Sequence, residues 1–344
     1  MRQLVFAEPG RVAWQEASDP EGADPGGAIV RPLAVARCDL DLPMAAFGIF
    51  PGPFAVGHET VAEVTWIGEE VAERRPGERV LLPFQVSCGI CEPCRDGRFA
   101  ACSTYYARAG AAFGFGASGG GHGGAVADLL AVPAADHLLI PAPEGIDAAA
   151  LCTVPDNFVD AYRAVGPQLR ERPGAGVLIV GGAAPSIGLY AVAIAVALGA
   201  GSVRYVDDDP DRLAAAAALG AVTEERPAEW PRRFERAAIT VDNTADGDGV
   251  VTTLRSTEPY GTCTSVAVHF APTTPLPLLE LYTRGVTFHL SRADSRRLLP
   301  EALELVASGR VDPLTVPTTR VPWDRADEAW LEPATKLVIE RYSG

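Results

Sequence analysis

Positive charge is scarce in this chain: 29 Lys and Arg stand against 44 Asp and Glu, a formal charge of −15 over 344 residues. No Lys/Arg cluster offers the concentrated basic surface that a phosphate backbone needs, so no nucleic-acid partner is expected. Long apolar runs are also missing. The longest, residues 188–200, falls short of the ~20 residues that cross a bilayer and sits inside a helix-type pattern. No membrane association is therefore expected. The N-terminal run MRQLVFAEPGRVAWQEA lacks a basic segment followed by an apolar core and a cleavage site. Seven cysteines better used as ligands than as bridges suit a reducing compartment, and the expected location is cytoplasmic. No internal repeat is found. What remains is ordinary soluble composition, 48% hydrophobic and 21% charged, in a chain long enough for two domains with separate cores.

Four of the seven cysteines fall within fifteen residues, as C-x2-C-x2-C-x7-C at Cys88, Cys91, Cys94 and Cys102. Two-residue gaps let thiolates converge on one ion, and four sulfurs complete a tetrahedral zinc shell with no open position. Such a shell holds a loop but cannot activate a substrate, so it reads as a structural zinc. The rival, an iron–sulfur cluster, usually has Pro after its fourth Cys, and here Ser103 follows Cys102.

The first 150 or so residues carry short β-type runs (LVFA, AIVRPLAVA, ETVAEVTWIG, ERVLLPF, VADLLAVP) separated by Pro-Gly turns, the pattern of an antiparallel, partly barrel-like domain. The glycine-rich tract 110–124 reads as a loop within it. From about residue 148, strand-like and helix-like runs alternate, the signature of a doubly wound parallel sheet. Strands are expected at 177–180, 203–207, 239–243, 263–268 and 286–290, with helices at 187–198 and 210–219.

After the strand VLIV comes Gly181-Gly182-Ala183-Ala184-Pro185-Ser186-Ile187-Gly188 and then an Ala-rich helix. A strand, a Gly turn and a helix start is how dinucleotides are held on helix N–H groups. The strict G-x-G-x-x-G is absent, because Ala183 and Pro185 stand at its first two positions. The candidate contacts are Gly181, Gly182, Ser186, Ile187 and Gly188. Asp207 and Asp208, at the end of the next strand, could accept hydrogen bonds from ribose hydroxyls, and with Asp209 would repel a 2′-phosphate. That favours NAD(H) over NADP. The plainer reading is that Asp209-Pro210 caps the following helix.

The run CGICEPCRDGRFAAC resembles the structural-zinc lobe of the zinc-containing alcohol dehydrogenases, in the medium-chain dehydrogenase/reductase superfamily, and the resemblance extends over nearly the whole chain. It implies an α/β fold: a Rossmann coenzyme domain at 157–292 and a discontinuous, mainly β, GroES-like catalytic domain. The latter would span 1–156, with its zinc lobe at about 86–104, and regain residues 293–344. It implies two Zn²⁺ per chain, NAD(H), a small-molecule substrate and a homodimer or homotetramer.

The Cys38-Asp39-Leu40-Asp41 and Gly57-His58-Glu59 runs match the family's first two catalytic-zinc ligands. Alone, Cys38 reads as a buried small hydrophobe, His58 as a core histidine and Asp156 as a helix cap; their order and company suggest ligation. The third ligand has two claimants, Cys152 and Asp156, and the spacing to Phe158 and Tyr162 favours Asp156. Glu59 would bind transiently in the fourth position, Asp41 would orient His58, and Lys336 would lie near the coenzyme phosphates. Phe47, Phe50, Phe54 and Phe84 are candidate pocket walls, while His269, His289 and Arg292 either line the cleft or sit unused. The family pattern breaks at Leu40, where Ser or Thr normally starts a proton relay. Either Asp39, His122 or water replaces that hydroxyl, or the enzyme reduces iminium or conjugated C=C bonds instead. A non-catalytic dinucleotide- or zinc-binding regulator is the third reading.

Overall fold

In the computed structural model, which describes residues 1–22, 24–106 and 110–341, six parallel strands form one sheet. Across it run Val222–Glu225, Ser202–Asp207, Gly176–Val180, Ala237–Asp242, Thr257–Ser265 and Thr287–Leu290. In chain order this is 3-2-1-4-5-6, the doubly wound arrangement whose order reverses between its first and fourth strands. A crevice therefore opens beyond Val180 and Asp242. The five strands read from the sequence are all present, with ends shifted by up to six residues. Val222–Glu225 was not anticipated. Its VTEE sequence holds two acids and lies mostly exposed at the sheet edge, so it lacks the apolar run that marks a buried parallel strand.

Two helices set the floor of the crevice. Pro185–Ala197 begins with proline at its first position, where no N–H is needed, and is apolar nearly all round because it is buried. Val159–Glu171 contains Pro167, which cannot bond the carbonyl of Arg163 four residues earlier. The Gln168 side chain takes over, its Nε2 donating to that carbonyl at 3.1 Å.

The second body is a seven-stranded mixed sheet ordered Thr318–Pro322, Lys336–Glu340, Ala28–Arg37, Glu59–Ile67, Arg79–Leu82 and Ile140–Pro141, with Leu130–Val132 also paired to Ala28–Arg37. A small antiparallel sheet of Arg11–Glu16, Arg2–Glu8 and Phe54–Ala55 flanks it. Pro32 is tolerated inside a long strand because the register slips between Pro32 and Ala34, a bulge that needs no N–H there. Lys336–Glu340 pairs antiparallel to Ala28–Arg37, so late residues do return to the N-terminal sheet.

One hydrophobic core joins the two bodies, running from Ala34, Ala36 and Val61 through Leu151 and Phe158 to Val177 and Ile179. At that joint lies a wide π-helical turn, Val154–Phe158, whose five residues are all buried. Such turns re-aim side chains and recur at functional sites. This one carries Asp156 and Asn157.

Candidate metal centres and the cleft

In the lobe, the four Sγ atoms of Cys88, Cys91, Cys94 and Cys102 all lie within 4.8 Å of one another. The amide of Cys91 and the hydroxyl of Thr104 donate to Cys88 Sγ, at 3.4 and 3.1 Å. Although burial opposes it, the backbone N–H groups of Ser103 and Cys94 hold the Cys91 thiol down at about 5. Four convergent sulfurs with N–H donors around them fit a closed tetrahedral zinc shell.

A second group gathers Cys38, His58, Glu59 and Asp156, again with one ligand atom from each within 4.8 Å of the others. Neighbouring strands supply three of them: Cys38 follows Ala28–Arg37, and His58 and Glu59 open Glu59–Ile67, with Ala36 opposite Glu59. Gly57 turns the chain into that strand at φ +90°, where a Cβ would also meet Val126 at 2.7 Å. The π turn brings Asp156 from the other body. Of the two claimants for third ligand, Asp156 is in the group. Cys152 is fully buried, with its thiol donating to the Ala149 carbonyl at 3.4 Å.

His58 carries the sign of a missing partner. Its Nε2 lies 3.3 Å from Asp156 Oδ2 and its Nδ1 3.6 Å from Asp41 Oδ1, yet neither nitrogen makes an aligned hydrogen bond, and both are buried. Asp41 is itself anchored, Oδ2 accepting from the Cys38 amide at 3.0 Å. Burial would lower the His58 pKa, but Asp41, Asp156 and Glu59 overcome it and raise it to about 9. Burial, then Asp156 and Glu59, push the Cys38 thiol well up. A divalent cation would relieve both, taking the place of the protons on sulfur and imidazole. The donor set of one thiolate, one imidazole and carboxylates suits zinc.

Lys336 corrects one expectation. Its Nζ bonds both oxygens of Glu59, at 2.9 and 2.7 Å, and both side chains are fully buried. Against the penalty of burial, Glu59 keeps the ammonium charged. A residue in the middle of the mixed sheet cannot reach out to a coenzyme phosphate. The same carboxylate that could visit a metal is thus fixed from behind by a cation.

A cleft of about 690 Å³ runs from this group to the crevice. Leu40, Phe47, Phe50, Phe84 and Phe115 are among its apolar lining. Phe84 and Phe115 stack on His58 with ring centres 5.7 and 5.0 Å away, while Phe47 sits at the mouth, 78% exposed. Phe54 does not line the cleft and packs on Phe6 at 5.1 Å. Phe115 was missed because it lies in the glycine-rich tract, which the sequence marks only as loop. His269 and Arg292 also line the cleft, the Arg292 guanidinium lying 5.5 Å over the Phe84 ring, whereas His289 and His122 are elsewhere, His122 against Tyr105 and Phe113. His269 Nε2 meets Asp242 Oδ2 at 3.1 Å, and that contact raises its pKa.

The glycine turn occupies the crevice. At Gly182 (φ +157°) a Cβ would come within 2.8 Å of the Thr244 backbone, which explains the glycine. Gly188 packs over Tyr205 and Asn243. Asp207 ends its strand buried, Oδ1 and Oδ2 accepting from Arg212 at 2.7 and 2.9 Å and Oδ2 also from Tyr205. Asp208 pairs with Arg226. Asp209 does cap the helix Pro210–Ala218, accepting from the amides of Asp211 and Arg212. The ribose candidates are therefore already held by neighbouring arginines.

Comparison with known proteins agrees with this picture. Residues 24–144 match the family model described as the alcohol dehydrogenase GroES-like domain, and residues 186–308 match the zinc-binding dehydrogenase model. A protein of Mycobacterium tuberculosis named as a probable zinc-binding alcohol dehydrogenase is 31% identical over 336 residues, covering 96% of this chain and 84% of its own. The zinc-type alcohol dehydrogenase B of Aspergillus flavus is 28% identical, with 89% and 72% covered. Among solved structures, an alcohol dehydrogenase from Thermus sp. ATN1 superposes with a TM-score of 0.91 at 28% identity, covering 99% of this chain and all of that one. An Escherichia coli alcohol dehydrogenase complexed with NADH shares the fold, with a TM-score of 0.81 at 19% identity and 99% of both chains covered.

Proposed function

We propose, from the premise that this chain belongs to the zinc-containing alcohol dehydrogenases and is an oxidoreductase, that it transfers hydride between NAD(H) and an alcohol or carbonyl substrate. The observation that carries the reading is the buried group of Cys38, His58 and Asp156 opening onto a cleft that reaches the dinucleotide turn. Bound there, zinc would supply polarisation of the substrate oxygen, and nicotinamide the hydride. The chain's own part is to place and to exclude. Asp41, whose Oδ1 lies 3.6 Å from His58 Nδ1, would orient the imidazole of His58. Leu40 and the phenylalanines form an apolar wall that keeps water from the reacting carbon and suits a hydrophobic substrate. Asp207, Asp208 and Asp209 outnumber Arg212 and Arg226 at the ribose end, which supports NAD(H) over NADP.

One observation favours a second reading. Leu40 lines the cleft beside Cys38 and can neither donate nor accept a proton, and His122 lies away from it. A reductase of iminium or conjugated C=C bonds would need no relay at that point. NADH and NADPH absorbance should be followed with the zinc-loaded protein across alcohols, aldehydes, activated imines and enones. Turnover of alcohols and aldehydes with NAD(H) is the expected result. Turnover confined to C=N or C=C substrates would replace this reading with the second, and binding without any turnover would favour a regulator.

The homodimer or homotetramer expected of the family has support in one face. Thr287–Leu290 is an edge strand with Leu290 exposed, and the helix Leu278–Arg284 just before it in the chain exposes Leu278, Leu279 and Tyr282. Sedimentation equilibrium is expected to give two or four chains; a monomer at micromolar concentration would refute it.

A further inference from the structure

The helix Pro185–Ala197 starts at the crevice where the order of the parallel sheet reverses. A helix start there offers N–H groups and the positive end of the helix dipole to an anion. Here the supply is short. Pro185 has no N–H, and the amide of Gly188 already donates to the Ala184 carbonyl at 3.1 Å. The two amides between them, Ser186 and Ile187, both donate to Asp39 Oδ2, at 3.0 and 3.2 Å. Asp39 comes from the other body, between Cys38 and Leu40, and lines the cleft. The first turn is tied across a second time. Asn157 Nδ2 donates to Ser186 Oγ at 2.8 Å, and Asn157 Oδ1 lies 3.1 Å from Cys38 Sγ. At the far end of the same crevice Asp207 is likewise engaged within the chain, by Arg212 and Tyr205.

The crevice therefore fits an anion at this helix, because one is already there: the carboxylate of Asp39 stands where a dinucleotide's pyrophosphate would be seated. We propose that Asp39 is a resident competitor that sets the affinity for the cofactor, so that a dinucleotide reaches the amides of Ser186 and Ile187 only by displacing it. The proposal rests on the nicotinamide reading above. Its physical basis is simple. Two acceptors cannot share the same two donors, and a carboxylate left nearby repels the incoming phosphates. The exchange also loosens a contact between the two bodies, one that binding must replace with contacts of its own.

The test is a fluorescence titration of the purified, zinc-loaded full chain with NADH, with calorimetric titrations of ADP-ribose and adenosine alongside. Asp39→Asn retains an oxygen for the amides without the charge, and Asp39→Ala empties the position. The Kd for NADH is expected to fall about tenfold in Asp39→Asn, the scale of a helix-cap interaction, and further in Asp39→Ala. ADP-ribose, which carries the pyrophosphate, should gain by the same factor, and adenosine, which lacks it, should not change. Zinc content, measured in parallel, should match that of the unaltered chain, showing that the loop around Cys38 is intact, while the melting temperature without ligand should fall by a few degrees, as loss of a cap-scale contact requires. Equal or weaker NADH binding by both variants overturns the proposal, as does an equal gain for adenosine. No NADH binding by the unaltered chain or either variant would overturn the nicotinamide reading along with it.

Discussion

His58→Ala is expected to lower kcat/KM by at least about a thousandfold and to remove one of two zinc ions per chain. The size follows from what the residue holds. A Lewis acid at the reacting oxygen contributes several kcal/mol to the transition state, and each 1.36 kcal/mol is a factor of ten in rate. His58 would be the neutral ligand of the group, and it stands between Asp156 and Asp41. Asp156→Ala should behave alike, whereas Cys152→Ala should keep both ions and most activity. The measurement is zinc per chain by atomic emission beside steady-state rates. Asp41→Asn belongs to the same series with a smaller effect, about 10- to 100-fold, because it would act through His58 rather than on substrate. If His58→Ala retained both zinc ions and near-normal rates, the group of Cys38, His58 and Asp156 would not be the working metal site.

Lys336→Met is expected to be the most destabilising single change in the mixed sheet. Lys336 and Glu59 are fully buried, and the ammonium holds both carboxylate oxygens. Removing one partner of a buried pair leaves the other uncompensated, which costs about 3–5 kcal/mol. Replacing both can be nearly neutral, so Lys336→Met with Glu59→Gln should recover most of the loss. Thermal unfolding would read this as a drop of about 5–10 °C for the single variant and a much smaller one for the double. A single variant as stable as the unaltered chain would mean that Glu59 finds another partner or takes up a proton without penalty.

What could be read from the sequence was what local chemistry dictates. C-x2-C-x2-C-x7-C is dense enough to imply its own geometry, and the alternation of apolar strands with Ala-rich helices pointed to the parallel sheet and to five of its six strands. Cys38, His58 and Asp156 were legible only as a set, through resemblance, since each has an unremarkable reading alone. Contacts between residues far apart were not. Lys336 and Glu59 are 277 positions apart, and nothing in TKLVIER distinguishes a buried lysine from a surface one. Asp39 sat in plain view beside Cys38, but its acceptance of two amides from the other body depends on how the two sheets meet. Val222–Glu225 escaped because an edge strand needs only backbone partners, and its acids hide it.

The position of Lys336–Glu340 has a bearing on how the protein comes to be made. That strand lies between Thr318–Pro322 and Ala28–Arg37, with Leu337 opposite Arg37. During synthesis the parallel sheet has all its strands once Leu290 has emerged, and can form as a unit. The mixed sheet cannot. Until the lysine strand arrives, Ala28–Arg37 keeps an unpaired edge and Glu59 has no counter-charge beside the cysteine and histidine that would hold the metal. Long-range pairing of this kind is slow and leaves sticky surface exposed meanwhile. Completion of that group is thereby tied to a strand made after the parallel sheet, so chains cut short before Lys336 would carry an intact parallel sheet and an unfinished site.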